Sequence, residues 1–142
     1  MKILVATDGS RPALRAVRYA AKFAGKLLSA PTSITLISVH DDVALRHAQS
    51  FVGRATVVDY LRELSEKEVK PARRLLASAG VKHDMEIRIG HVAEEIVDCA
   101  TSGKFDLIVL GAKGRSAFAD LLIGSVAQRV LATAKTPVLL VK

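Results

Sequence analysis

Three short stretches hold the residues whose types and spacing could do chemistry. Asp8-Gly9-Ser10 breaks one apolar run. Gly111-Ala112-Lys113-Gly114-Arg115-Ser116 stops another, Leu107 to Leu110, and Gly124-Ser125 opens a helical pattern. Glycine lacks a Cβ, so it admits φ > 0 and lets a ligand come close to backbone N–H groups. A helix N-terminus presents unpaired N–H donors and a partial positive charge, which favour an anion. Strand, glycine loop and helix start in series therefore suggest a phosphate site. Lys113 and Arg115 are flexible cations suited to phosphate, or simply solvated charges. Asp8 can accept a hydrogen bond from a base amino group or a sugar hydroxyl, or can bond only its own turn. Ser125 with Gln128 reads as a capping box, which alone would explain both residues. The loop is not a P-loop, which needs four residues between its glycines and then Gly-Lys-Ser or Gly-Lys-Thr. Nor is it the tighter dinucleotide fingerprint. On spacing alone, an ordinary tight connection remains the alternative.

These stretches need a scaffold, and the composition supplies one. The chain has 142 residues, half of them hydrophobic, which suits one globular domain able to bury roughly two-thirds of its unfolded surface. Lys and Arg number 21 against 14 Asp and Glu, a net charge of +7 that attracts anions without choosing among nucleotide, nucleic acid and acidic protein. Tryptophan is absent and other aromatics are scarce, which argues weakly against a base-stacking platform. Cys99 is the lone cysteine, so no internal disulfide forms; it flanks an apolar stripe and reads as packed. No apolar run approaches the roughly 20 residues that cross a bilayer, and the first run is too short for a signal peptide. The expectation is a soluble cytoplasmic protein that meets no membrane. His40 directly follows the second apolar run, at the edge of the presumed ligand cleft; His47, His83 and His91 are scattered, lack partners at metal-ligand spacing and read as surface or loop residues. Glu94 and Glu95 suit the dipole at a helix start.

The periodicity predicts strands over Lys2 to Thr7, Ile34 to Val39, His83 to Ile89, Leu107 to Leu110 and Val138 to Val141. Alternation in the third gives it one wetter face, as at a sheet edge. Helices are predicted from Ser10, as N-cap, to about Ser29; from about Thr56 to Ala79; from Ala93 to near Gly103; and from about Ser125 to Ala134. The first has an apolar stripe of Leu14, Val17, Ala21, Ala24 and Leu28. Its basic stripe is Arg11, Arg15, Arg18, Lys22 and Lys26, a solvated face or a dock for nucleic acid or an acidic partner. Pro71 predicts a kink or break near Lys70, and Gly80 a stop. Asp41 to Ala55 reads as loop with some helix. Strand–helix alternation implies a parallel α/β sheet of five strands in a single domain. Ligands of such sheets bind beyond the carboxyl ends of strands, so adjacency of the first and fourth strands would put Asp8 and the glycine loop in one cleft.

The spacing Gly111, two residues, Gly114, nine residues, Gly124-Ser125 resembles the nucleotide-binding signature of the universal stress protein family. Asp8-Gly9-Ser10 after the opening strand, Val39 at the end of the second, and the closing Thr136-Pro137-Val138-Leu139-Leu140-Val141 match it too, so the resemblance spans the chain. It implies an open, Rossmann-like sheet in the order 3-2-1-4-5 with helices on both faces, and a homodimer built largely through the last strand, Val138 to Val141. In its ATP-binding members the positions of Asp8 and Val39 hold the adenine, and Ala6 and Thr7 line that pocket. Gly111 and Lys113 would lie along ribose and phosphates. Gly114, Gly124, Ser125 and Val126 would hold the phosphate tail through backbone N–H groups and the Ser125 hydroxyl. Ala112 and Ala127 depart from the pattern, standing where such members often carry a hydroxyl.

The reading that follows is an ATP-binding, nucleotide-responsive homodimer in stress response, with magnesium riding on the phosphates. Slow hydrolysis is compatible with it, though no residue is placed as a general base. The alternative is a dimeric interaction module without nucleotide. Nucleic-acid binding through the basic stripe is weaker still, resting on charge alone.

Overall fold

The computed structural model describes residues 1–27, 31–41, 53–114 and 123–142. The expectations for Leu28 and Ser29, for His47 and most of the mixed stretch before Ala55, and for Arg115 and Ser116 lie outside the described residues. In chain order the elements are β1 (Lys2–Ala6), α1 (Arg11–Lys26), β2 (Ser33–His40), α2 (Arg54–Ser78), β3 (His83–Ile89), α3 (Val92–Ser102), β4 (Leu107–Gly111), α4 (Ser125–Thr133) and β5 (Val138–Val141). The strands form one sheet in the order β3-β2-β1-β4-β5, every neighbouring pair parallel. β1 is the centre: Ile3 pairs with Ile34 of β2 on one side and Leu107 of β4 on the other.

Strand alternation splits the core into two layers. Ile3, Val5, Leu36 and Val109 face α1 and α2, meeting Ala16, Val17, Val69 and Leu76. Leu4, Ile37, Ile108 and Leu110 face α3 and α4, meeting Ile96, Cys99, Ala127 and Val130. Among the described residues the helices therefore cover both faces, two on each. A sheet covered on both sides needs strands apolar at successive positions, which is why β1 and β4 read as unbroken runs.

The buried face of α1 is Ala13, Ala16, Val17, Ala20 and Ala21, with Leu14, Phe23 and Ala24 at its margin. The stripe expected from the larger residues is thus rotated toward the alanines, whose small side chains let the helix lie close to the sheet. Ser10 caps α1 as expected: its Oγ accepts from the Ala13 N–H at 3.3 Å. α2 runs through Pro71 as one helix instead of breaking near Lys70. Proline removes one backbone donor, but Val69, Ala72 and Leu76 on both sides of it are fully buried, and that packing outweighs the lost bond. Gly80 ends this helix at φ 67°, with Val81 N–H bonded to the Leu76 carbonyl and Gly80 N–H to that of Ala77. This is the Schellman pattern, which needs a residue without a Cβ at that point.

β3 is an edge strand, as its alternation predicts. Its Arg88 guanidinium bonds Glu86 at 2.7 Å, Asp98 at 2.8 Å and Glu95 at 3.3 Å, tying β3 to α3. Cys99 lies beneath this cluster, 1% exposed, its Sγ 3.5 Å from Glu86 Oε2. Burial and the Glu86 carboxylate push its thiol up to about 11, against a partial offset from Arg88. The thiolate is the nucleophile, so Cys99 is inert at neutral pH. Iodoacetamide at pH 8 should leave the native protein unlabelled and alkylate it fully in denaturing urea. Because the folded pKa is raised, the protection is complete below the ordinary thiol range and is lost as pH climbs toward 11; rapid native labelling at pH 8 would contradict this packing.

Candidate functional site

The chain builds β2 and β3 on one side of β1, then returns to build β4 and β5 on the other. The carboxyl ends of β1 and β4 thus part at the switch point of the sheet, where open α/β folds leave a crevice. A cavity of about 620 Å³ lies there, within the range of small-molecule sites. Ala6, Thr7, Asp8, Val39, Gly111, Lys113, Gly114, Gly124, Ser125 and Val126 all line it, the ten positions that the family resemblance implied for a ligand.

The β1 wall is a tight turn. Asp8 Oδ1 accepts from the Ser10 N–H at 3.0 Å, and Thr7 Oγ1 from the Gly9 N–H at 3.3 Å. Gly9 adopts φ 75°, the left-handed region that glycine reaches without strain. Asp8 therefore does bond its own turn, through Oδ1. Its Oδ2 stands 3.5 Å from where a Cβ on Gly114 would sit. The carboxylate spans from the β1 turn to the glycine loop.

The opposite wall is the glycine loop and the start of α4. Gly111, Gly114 and Gly124 are not among the positive-φ glycines, so they are not there for a left-handed turn. A Cβ on Gly111 would come within 2.9 Å of the Pro12 carbonyl carbon and oxygen, so this glycine admits the first turn of α1. Among the described residues a Cβ on Gly114 would meet only Asp8 Oδ2, and Gly114 lines the cavity. Gly124 N–H donates to the Ala112 carbonyl at 2.7 Å, closing the loop onto the helix.

The capping box read from Ser125 and Gln128 does not form. Gly124 is the N-cap of α4, and no side chain caps this helix. Gln128 instead donates its Nε2 to the Ile123 carbonyl at 2.8 Å. Ser125 is the first residue of the helix, exposed, and lines the cavity. The N–H groups of Ser125, Val126 and Ala127 have no intrahelical acceptor, because the first turn of any helix lacks one. The site thus offers a row of backbone donors and a hydroxyl beside Lys113. That arrangement suits an anion with several oxygens.

Several lining residues were not foreseen. Ala13, Ile37, Val92, Ile96 and Leu110 supply an apolar floor. Only the three-dimensional return of the chain selects them from other core residues. His40 and Asp41 line the β2 side. His40, expected directly after the second strand near the adenine edge, is the last residue of β2, half-buried, and shares a hydrogen bond with Ser65, which is 0% exposed. Its signal was its position directly after Val39. Ala112 is 4% exposed and does not line the cavity, whereas Ala127 does. Of the two departures from the hydroxyl pattern, only Ala127 bears on the cavity. Among the described residues no cluster of three or more His, Cys, Asp or Glu is disposed to hold a metal ion, and no helix is long and apolar enough to cross a membrane.

Comparison with known proteins gives a consistent picture. The model of the Universal stress protein family matches residues 1–142. The universal stress protein MJ0531 of Methanocaldococcus jannaschii is 34% identical over 141 residues, covering 99% of this chain and 81% of that protein. The solved structure of MJ0577, from the same organism, superposes with a TM-score of 0.86 at 30% identity, covering 99% of this chain and 94% of its own. A universal stress protein crystallised in complex with cAMP superposes with a TM-score of 0.74 at 28% identity, over 100% of this chain and 97% of that one.

Proposed function

The chain belongs to the universal stress protein family, and from that premise we propose that it is an ATP-binding member acting in the cytoplasm as a nucleotide-responsive homodimer in stress response. The observation that carries this reading is the convergence of Asp8, Gly114 and the uncapped start of α4 on one cavity with an apolar floor. Adenine would lie toward Val39, Ala6 and Thr7, with Asp8 accepting a hydrogen bond from the base or ribose. Ribose and phosphates would pass Gly111 and Lys113. The phosphate tail would end at Gly114 and on the N–H groups of Gly124, Ser125 and Val126, with the Ser125 hydroxyl. Magnesium favours phosphate oxygens together with one or two carboxylates, so it would be carried by the nucleotide rather than by a cage of protein ligands. A relative bound to cAMP supports a nucleotide in this fold.

The two sheet edges support the choice of dimer surface. An open edge invites another strand unless charge blocks it. β3 alternates Asp84, Glu86 and Arg88 with apolar residues and locks Arg88 into carboxylates. β5 carries only Val138, Leu139, Leu140 and Val141, all half-buried. The carbonyls of Pro137 and Val141 accept from Ile108 and Ala112 of the β4 side. Backbone groups alternate in direction along a strand, so those of Val138 and Leu140 face the open edge. In the proposed dimer they would pair with a second copy.

Calorimetric titration with ATP, ADP and AMP, with and without magnesium, tests the reading together with sedimentation analysis. Micromolar ATP binding by a particle of two chains is expected. A dimer that binds no nucleotide would leave the interaction-module reading. A monomer at tens of micromolar would remove β5 as a dimer surface.

A further inference from the structure

We propose that the exposed face of α1 docks the phosphate backbone of single-stranded nucleic acid. Arg11, Arg15, Arg18, Lys22 and Lys26 are all exposed. At 100° per residue they fall within an arc of about 80°, so they form one row about 22 Å long. α1 contains no Asp or Glu. Among the described residues no carboxylate pairs with Arg11, Arg18, Lys22 or Lys26; Arg15 donates its Nε to the main-chain oxygen of Lys142 at 3.3 Å. Elsewhere Arg88 holds three carboxylates and Arg129 reaches Glu94 at 3.4 Å.

A merely solvated helix face gains from mixing signs at i, i+3 and i, i+4, where like charges repel. Here Arg11–Arg15, Arg15–Arg18, Arg18–Lys22 and Lys22–Lys26 are all like-charged neighbours. The row therefore costs stability in the free protein, and a polyanion relieves that cost. About 22 Å of a nucleic-acid strand carries roughly six phosphates, a linear match to a row one side chain wide. Tyr19 stands beside the row, 46% exposed, with its ring 6.4 Å from that of Phe23 and inclined to it by 14°. It offers one braced face on which a base can stack. No other large hydrophobic residue of α1 is exposed, so the helix has nothing to insert into a lipid surface.

Fluorescence anisotropy with a labelled oligothymidylate of about 20 nucleotides, across roughly 50 to 200 mM salt, reads this directly. Five phosphate contacts on a single strand predict a log–log salt slope of about −3.5. Arg18→Gln/Lys22→Gln, both exposed and helix-compatible, should flatten the slope to about −2 and weaken binding about tenfold at the lowest salt. Tyr19→Leu should lower affinity at an unchanged slope. Gly114→Val should bind as the parent does, since the row lies outside the nucleotide cavity. No binding at about 50 mM salt, an unchanged slope in the double variant, or loss of binding in Gly114→Val would overturn the proposal. Equal binding of polyglutamate would replace nucleic acid with an acidic polypeptide, and preference for phosphatidylserine vesicles would replace it with a membrane; either result overturns it.

Discussion

Gly114→Val is expected to weaken ATP binding at least a hundredfold, on the order of 3 kcal/mol, while the melting temperature stays within about 2 °C of the parent. The fold has room for the change. Among the described residues an added Cβ meets only Asp8 Oδ2, at 3.5 Å, an ordinary contact, and Gly114 does not use the left-handed backbone that would penalise a branched residue. The ligand does not have that room. Phosphates held by backbone N–H groups must approach within about 3 Å, and two valine methyls at Gly114 occupy that approach. Hydrogen bonds to charged groups contribute roughly 1.5–3 kcal/mol each, so losing two accounts for the expected factor. Gly114→Ala should cost less, since its single methyl fills less of the space. Calorimetric titration beside thermal melts checks both numbers. An unchanged affinity for ATP in the valine variant would show that the phosphates do not pass Gly114.

The framework of the cleft could be read from the sequence because its causes are local. β1 and β4 read as buried runs because both faces of the sheet are covered, and β3 read as an edge because its charges alternate. The glycine spacing led through a family resemblance to ten residues that the fold does assemble. What failed were inferences needing the third dimension. Ser125 and Gln128 have capping-box spacing, but the chain enters α4 one residue earlier, so Gly124 caps and Gln128 turns to Ile123. Pro71 carries a helix-breaking signal, but the packing of Val69, Ala72 and Leu76 on the sheet overrides it. His40 was legible as the residue after the second strand at the cleft, but nothing local records the buried Ser65 hydroxyl, 25 residues away in sequence, that bonds it there.

Valine at Gly111 should behave in the opposite way, although the two glycines stand three positions apart in one motif. Gly111 ends β4 in register with Val141. A Cβ there would lie 2.9 Å from the Pro12 carbonyl carbon and oxygen and 3.0 Å from the Lys113 oxygen. All three are backbone atoms, so relief requires moving the start of α1 or the loop itself. Removing a strand glycine returns roughly 0.5–1 kcal/mol of backbone entropy. Overpacking costs about 1–3 kcal/mol and more when backbone must shift, and the two valine methyls add to the clash. The clash therefore wins, with a net loss of about 3 kcal/mol and a melting temperature lowered by roughly 10 °C. Affinity for ATP should fall as a consequence, because the displaced turn of α1 carries Ser10, which fixes Asp8 through its N–H. The order of the two losses distinguishes the roles: Gly111→Val loses stability even with no nucleotide present, whereas Gly114→Val loses only the nucleotide. If Gly111→Val melts like the parent, α1 does not press on the glycine loop, and the narrow gap between the two walls of the cleft must be held by other contacts.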